Sequence, residues 1–117
     1  MKRRSEPRIR KSLLVDISRN GMEQMGITMN ISRRGICIAT TEMFRRRSML
    51  DILLAAADDI YALRGRVVWH MTRKDSFGDN VPVGIGIRIE EAAPGYYKYI
   101  SGIRKGFISV PVSRTSC

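Results

Sequence analysis

Residues 81–90 alternate without a break, Val81, Val83, Ile85, Ile87 and Ile89 against Pro82, Gly84, Gly86, Arg88 and Glu90. Strict period two places one set on each face of an extended strand, so this segment can satisfy its apolar side only by lying in a sheet over a core. The same period recurs upstream. Leu13, Val15 and Ile17 alternate with Ser12, Asp16 and Ser18; Leu50, Ile52 and Leu54 share a face; and Tyr61, Leu63, Gly65, Val67, Trp69 and Met71 share another. Arg19-Asn20-Gly21, Ala55 to Asp59 and Asp75 to Asn80 read as the turns between strands. Met25, Ile27, Met29 and Ile31 are expected on the core face of a second strand, with Gly26, Thr28, Asn30 and Ser32 opposite. The Met25/Met29 pair then fills core space. Gly35 follows a two-arginine corner that calls for glycine's conformational freedom, and restarts a short strand, Ile36-Cys-Ile38.

One helix closes the pattern. Pro94 suits a first helical turn, Tyr96, Tyr99, Ile100 and Ile103 form an apolar stripe, and Gly106 ends it. A meander of about six strands with no helices between them predicts a mainly β fold, a small closed or partly closed barrel under one closing helix, and closure would remove the exposed edges. At 117 residues the chain is long enough for one core. Residues 1–11 read as a flexible basic arm, 12–108 as the barrel with its helix, and 109–117 as a tail.

Charge narrows the partners. Twenty-one basic side chains, sixteen of them arginine, stand against eleven acidic ones, for a formal net charge of +10. Anionic ligands are expected. The apolar run Ile52 to Ala57 is far short of a bilayer span, and no apolar leader precedes Leu13, so a cytoplasmic protein without a membrane span is expected. Cys37 and Cys117 are too few for a disulfide framework, and Cys37 reads as an inert thiol between two isoleucines. With one histidine, His70, read as a surface side chain, and no nucleophile elbow, P-loop or metal spacing, neither an enzyme nor a bound cofactor is expected.

Two short patterns carry chemistry. Arg4 and Arg8, four residues apart, can fork onto phosphates and onto the O6/N7 edge of guanine, because a guanidinium presents planar paired donors. Asn30 and Ser32 lie two apart on a strand and can read a base edge from one face. Each pattern has a plainer reading: a solvated basic tail for the first, and side-chain-to-backbone turn bonding for Asn-x-Ser before Gly35.

Together, in this order, they carry a resemblance. Arg3-Arg4-Ser-Glu-Pro-Arg8 is similar to the RxxxR motif of the PilZ domain family, and Asn30-Ile-Ser32-Arg-Arg-Gly35 resembles its [DN]xSxxG motif. The likeness continues through Gly65-Arg-Val-Val-Trp69 and Val83 to Ile89. It implies a six-stranded antiparallel β-barrel with a C-terminal α-helix, acting as a non-catalytic bacterial receptor for the second messenger cyclic di-GMP, with Arg4, Arg8, Asn30, Ser32 and Gly35 at the ligand. Arg3 resembles a position that helps to hold a second, stacked ligand, and Arg10, Arg33 and Arg34 add charge around the site. Trp69 matches a place where some members set an aromatic beside the nucleotide, although Leu63 and Val67 point its ring toward the core. The resemblance also implies signalling to an effector protein in motility, exopolysaccharide or virulence control. Two other classes are kept: a basic barrel that binds single-stranded nucleic acid, disfavoured because Asn30 and Ser32 have no aromatic near them in sequence, and a PilZ-like adaptor that binds protein alone.

Overall fold

The computed structural model describes residues 8–106, so Arg3, Arg4 and the 109–117 tail lie outside the described residues. Seven strands, β1 (Ile9–Arg10), β2 (Leu14–Arg19), β3 (Met22–Ile31), β4 (Gly35–Ala39), β5 (Met49–Ala56), β6 (Asp59–Lys74) and β7 (Asn80–Ala92), precede one helix, α1 (Pro94–Gly106). Six of the strands join in the order β3-β2-β5-β6-β7-β4, and a further β3–β4 ladder closes the ring. Every ladder is antiparallel. The result is a closed six-stranded barrel with β1 as a short extra strand on β3 and a C-terminal helix.

The alternation described above builds its interior. Val15 and Ile17, Leu50, Ile52 and Leu54, Leu63 and Val67, Ile85 and Ile87 are all buried in one core. Tyr96, Ile100 and Ile103 of α1 join the same cluster, so the helix packs its apolar stripe onto the barrel. Tyr61 of β6 meets Tyr96 edge-on at 6.5 Å and Tyr99 at 5.7 Å, which seals the seam between barrel and helix with ring contacts. Asn20 and Gly21 both take positive φ (51° and 82°), the geometry of a tight hairpin turn that follows the twist of β2 and β3. The β5–β6 turn is narrower than Ala55 to Asp59: the strands pair out to Ala56 and Asp59, leaving Ala57 and Asp58 to reverse the chain.

The strongest departure lies in β3. Residues directly opposite in an antiparallel ladder share a face. Gly26 stands opposite Val15 and Thr28 opposite Ile38, and both are buried with those core residues. Met25 and Ile27, expected in the core, are instead about half exposed at 51% and 49%. Met29 is half-buried rather than core filling. A register shift between Thr28 and Asn30 then resets the phase, so Ile31 faces Ile36 in the core and Asn30 faces Cys37 on the outer side. The expected faces are therefore inverted before the bulge and correct after it. A similar shift between Val67 and Trp69 moves Trp69 out of the core and opposite Gly86.

Cys37 also differs from expectation, being fully buried and disulfide-bonded rather than an isolated thiol. His70 is half-buried, with Nε2 hydrogen-bonded to the Phe44 carbonyl.

A Cβ on Gly65 would meet Ile87 Cγ2 at 2.3 Å and the Arg88 carbonyl oxygen at 2.8 Å. Gly65→Ala should therefore cost about 1–3 kcal/mol as overpacking against backbone, read as a lower urea midpoint. Removal from water, helped by the neighbouring Tyr61, holds the Tyr99 phenol above the ordinary 10.0. Its neutral form is favoured in the fold, so this contribution is complete below the ordinary value and is lost as pH rises through the raised one. Urea midpoints measured from about pH 9 to 11 should fall less steeply for Tyr99→Phe than for the parent chain.

Candidate ligand-binding site

Thr28 begins the site, because it fastens the chain that leads out of the N-terminal arm. Its hydroxyl donates to the Lys11 carbonyl at 2.6 Å and accepts the Leu13 N–H at 2.9 Å, while its own N–H bonds Leu13 O at 2.9 Å. A buried hydroxyl satisfied from both sides fixes residues 11–13 against β3. Just before them, β1 lays Ile9 opposite Ile31 and Arg10 opposite Asn30.

That pairing brings the two sequence patterns together. Arg8 Nη1 donates to Asn30 Oδ1 at 2.7 Å, joining residues 22 apart in the chain. Asn30 stands on the outer side of β3 and is nonetheless only 3% exposed, since the Arg8 guanidinium reaches across it. A Cβ placed on Gly35 would lie 4.0 Å from Arg8 Nη2, so the same guanidinium spans from β3 toward the start of β4.

Ser32 and Gly35 form the corner itself. The Ser32 hydroxyl donates to the Gly35 carbonyl and accepts the Gly35 N–H, both at 3.1 Å, and the Ser32 N–H bonds the same carbonyl at 2.9 Å. The three-residue spacing is what lets one side chain hold both backbone groups of the turn. The contacts of Ser32 are thus those of turn chemistry. Gly35 differs from expectation in its reason: its φ is not in the left-handed region, and a Cβ would meet the Ile87 carbonyl oxygen at 2.9 Å, so closeness of β7 demands glycine.

Helix α1 braces the corner from behind. Tyr96 is fully buried and its hydroxyl donates to the Ser32 carbonyl at 2.6 Å. Arg33 lies 5.1 Å from the centre of the Tyr97 ring, a cation–π contact at an exposed position. Arg34 is exposed, and its carbonyl accepts the Ile89 N–H at 2.8 Å. Arg10 is exposed as well. The arginine pair at 33–34 therefore stands outward from a corner whose backbone is tied to β7 and α1.

Following the outer face across the sheet yields a groove. Arg10 faces Asn30, Asn30 faces Cys37, Cys37 faces Gly86, and Gly86 faces Trp69. Gly84 and Gly86 present no side chain, and Trp69 uses the space: a Cβ on Gly86 would meet its ring at 2.3–2.7 Å. Gly84 plays the same part for Met29 Cε and Met71 Cβ, 3.1 and 3.7 Å from its Cβ position. The floor is low at Gly84 and Gly86 of β7, beside the buried Cys37 of β4, with Arg8, Arg10 and Asn30 on one wall and Trp69 on the other. Trp69 thus stands on the outer face and not in the core. Sequence periodicity missed this because the bulge before it changes the face. A second concavity, lined among others by Asp51, Arg64, Glu91 and Tyr97, opens elsewhere, where β5, β6 and the strand-to-helix turn meet.

Among the described residues no group of histidine, cysteine and acidic side chains is placed to hold a metal ion, and no helix is long and apolar enough to cross a membrane. Fold and site together define a closed antiparallel barrel with an arginine- and asparagine-walled groove on its outer face. The family model for the PilZ domain matches residues 2–100, and the chain belongs to the PilZ domain family. No curated protein matches it in sequence. Among solved structures it is similar to the Bacillus subtilis inhibitor of motility MotI/DgrA, with a TM-score of 0.72 and 18% identity over 91% of this chain. The match takes in 52% of MotI, so the chain spans about half that protein's length. It is also similar to the PilZ domain of YcgR from Escherichia coli, solved with c-di-GMP: TM-score 0.70, 10% identity, 90% of this chain and 91% of that one.

Thr28→Val keeps the shape but removes the hydroxyl that bonds the Leu13 N–H and the Lys11 carbonyl. We expect a loss of about 1–3 kcal/mol of stability, measured by urea denaturation, with faster hydrogen exchange at the Leu13 amide.

Proposed function

We propose that the chain is a receptor for cyclic di-GMP that performs no chemistry of its own and signals by changing the surface offered to an effector protein. The single observation that carries this reading is the 2.7 Å bond between Arg8 and Asn30, which sets one residue of each motif side by side at a glycine-floored groove. The ligand has two phosphates and two guanines. A guanidinium fixed at this point can fork onto a phosphate or onto O6/N7 of guanine, and the Asn30 amide supplies both a donor and an acceptor beside it. Family membership supports the choice, and the YcgR domain to which the fold is similar was solved with this molecule.

In this reading Arg4 adds the second fork from the arm, and Arg3, Arg10, Arg33 and Arg34 supply further positive charge. Ser32 and Gly35 hold the corner against which the base lies, and Trp69 forms the opposite wall. Closure of the arm over the occupied groove is the switch, because ordering a cationic segment there replaces one outer surface by another. The chain works in the cytoplasm on this reading, upstream of motility, exopolysaccharide or virulence control.

Because Arg8 and Asn30 share a hydrogen bond, their contributions to binding should be coupled. In titration calorimetry Arg8→Ala should weaken cyclic di-GMP binding by about 1.5–3 kcal/mol. The Arg8→Ala, Asn30→Ala double variant should lose less than the sum of the two single losses. Asn30→Ala should also narrow the preference for cyclic di-GMP over cyclic di-AMP. Unchanged affinity for Arg8→Ala would refute the assignment. A steep salt dependence with tighter binding to oligonucleotides would favour the nucleic-acid barrel instead.

A further inference from the structure

On the side of the barrel carried by β3, β2, β5 and β6, the outward residues form two rows. In the first, Ile27 stands opposite Leu14; Leu14 lies one step beyond the Val15–Leu54 pair, beside Ala55, and Ala55 stands opposite Ile60. In the second, Met25 stands opposite Asp16, Asp16 opposite Leu53, and Leu53 opposite Ala62. Leu14, Met25, Ile27 and Leu53 are each close to half exposed and Ile60 is 67% exposed. Neither row holds a basic residue, on a chain with a formal net charge of +10. The only charge in the array is Asp16, whose Oδ1 is buried and has no hydrogen-bond partner among the described residues.

A contiguous apolar patch on a folded domain marks an interaction surface, and a desolvated carboxylate oxygen within it lacks the donor it needs. Three kinds of occupant can be weighed physically. A strand cannot add here, because all four strands have both edges paired in the closed ring. A second copy meeting this face about a two-fold axis would bring one desolvated Asp16 toward the other, and like charges out of water repel. A helix fits. Four strands span three gaps of about 4.8 Å, roughly 14 Å, which matches about ten residues of helix at 1.5 Å each.

We propose that this face docks an amphipathic helix of a partner protein, whose apolar stripe covers Leu14, Ile27, Leu53 and Ile60 and whose single arginine or lysine pairs with Asp16. In the next row beyond Asp16, Glu23 stands opposite Ser18, Ser18 opposite Asp51 and Asp51 opposite Arg64, which pairs with it at 3.1 Å, so Asp16 is the charge that a cationic partner residue would meet. The surface is separate from the Arg8–Asn30 groove, so the inference stands whether or not that groove binds a cyclic dinucleotide.

The test uses the full chain and two synthetic helical peptides, identical in their leucine stripe and differing in one central residue, arginine or glutamate. Amide chemical shifts should move at residues 14–16, 25–27 and 53–55 with the arginine peptide, which should bind about tenfold more tightly than its glutamate twin. Asp16→Asn should remove that preference without lowering the urea midpoint, because it discharges an unpaired oxygen. Leu53→Ser should weaken both peptides. Equal binding of the two peptides, shifts confined to other faces, or a lower midpoint for Asp16→Asn would overturn the proposal. So would self-association in sedimentation that Leu53→Ser abolishes, which would assign the face to a second copy.

Discussion

Barrel closure gives every barrel strand two neighbours, so no strand can change its phase without a bulge that its partners accommodate. In β3 that bulge falls between Thr28 and Asn30, and both halves of the site depend on it. Before it, Gly26 and Thr28 face inward, where Thr28 can reach under the incoming chain and hold Lys11 and Leu13. After it, Asn30 faces outward, where it can receive Arg8. A strand of unbroken period two could supply only one of these roles. With Thr28 turned in, it would turn Asn30 into the core, where an amide has few partners and burial is costly.

The corner at 32–35 is held by its own side chain and by the helix. The Ser32 hydroxyl is consumed by the Gly35 backbone, which makes the turn rigid, and Tyr96 fixes the Ser32 carbonyl from the helix side. What the turn then presents is the outward pair Arg33–Arg34 and a flat approach across Gly35. The ring of Tyr97 beneath Arg33 ties the same corner to α1, so corner and helix form one packed unit.

Glycines play a second part on the outer face. Gly84 and Gly86 of β7 leave the sheet bare, and the side chains of Met29, Met71 and Trp69 fold down over them. The aromatic wall opposite Asn30 therefore comes from the absence of side chains on β7 as much as from Trp69. The opposite flank of the barrel is built in another way. There Leu14, Ile27, Leu53 and Ile60 cover the sheet and stay exposed, with one carboxylate among them. One small barrel thus carries a polar, cationic outer face and an apolar one with a single carboxylate.

Strand number, the closing helix, the hairpin at Asn20-Gly21 and the interior of β2, β5 and β7 were all legible from residue order, since period two and turn chemistry act locally. The turn chemistry of Ser32 and Gly35 was legible for the same reason, since the two meet through a three-residue spacing within one turn. The orientation of β3, the outward position of Trp69 and the reason Gly35 must be glycine were not. Each depends on a neighbour far away in the chain, whether the Thr28–Asn30 bulge, the bare Gly86 or the Ile87 carbonyl. The amino-acid sequence determined which side chains are available and where the chain turns. Only the closed tertiary structure decided which face each one occupies, because a single extra residue in a ladder reverses every side chain beyond it and only strand pairing says where that residue falls.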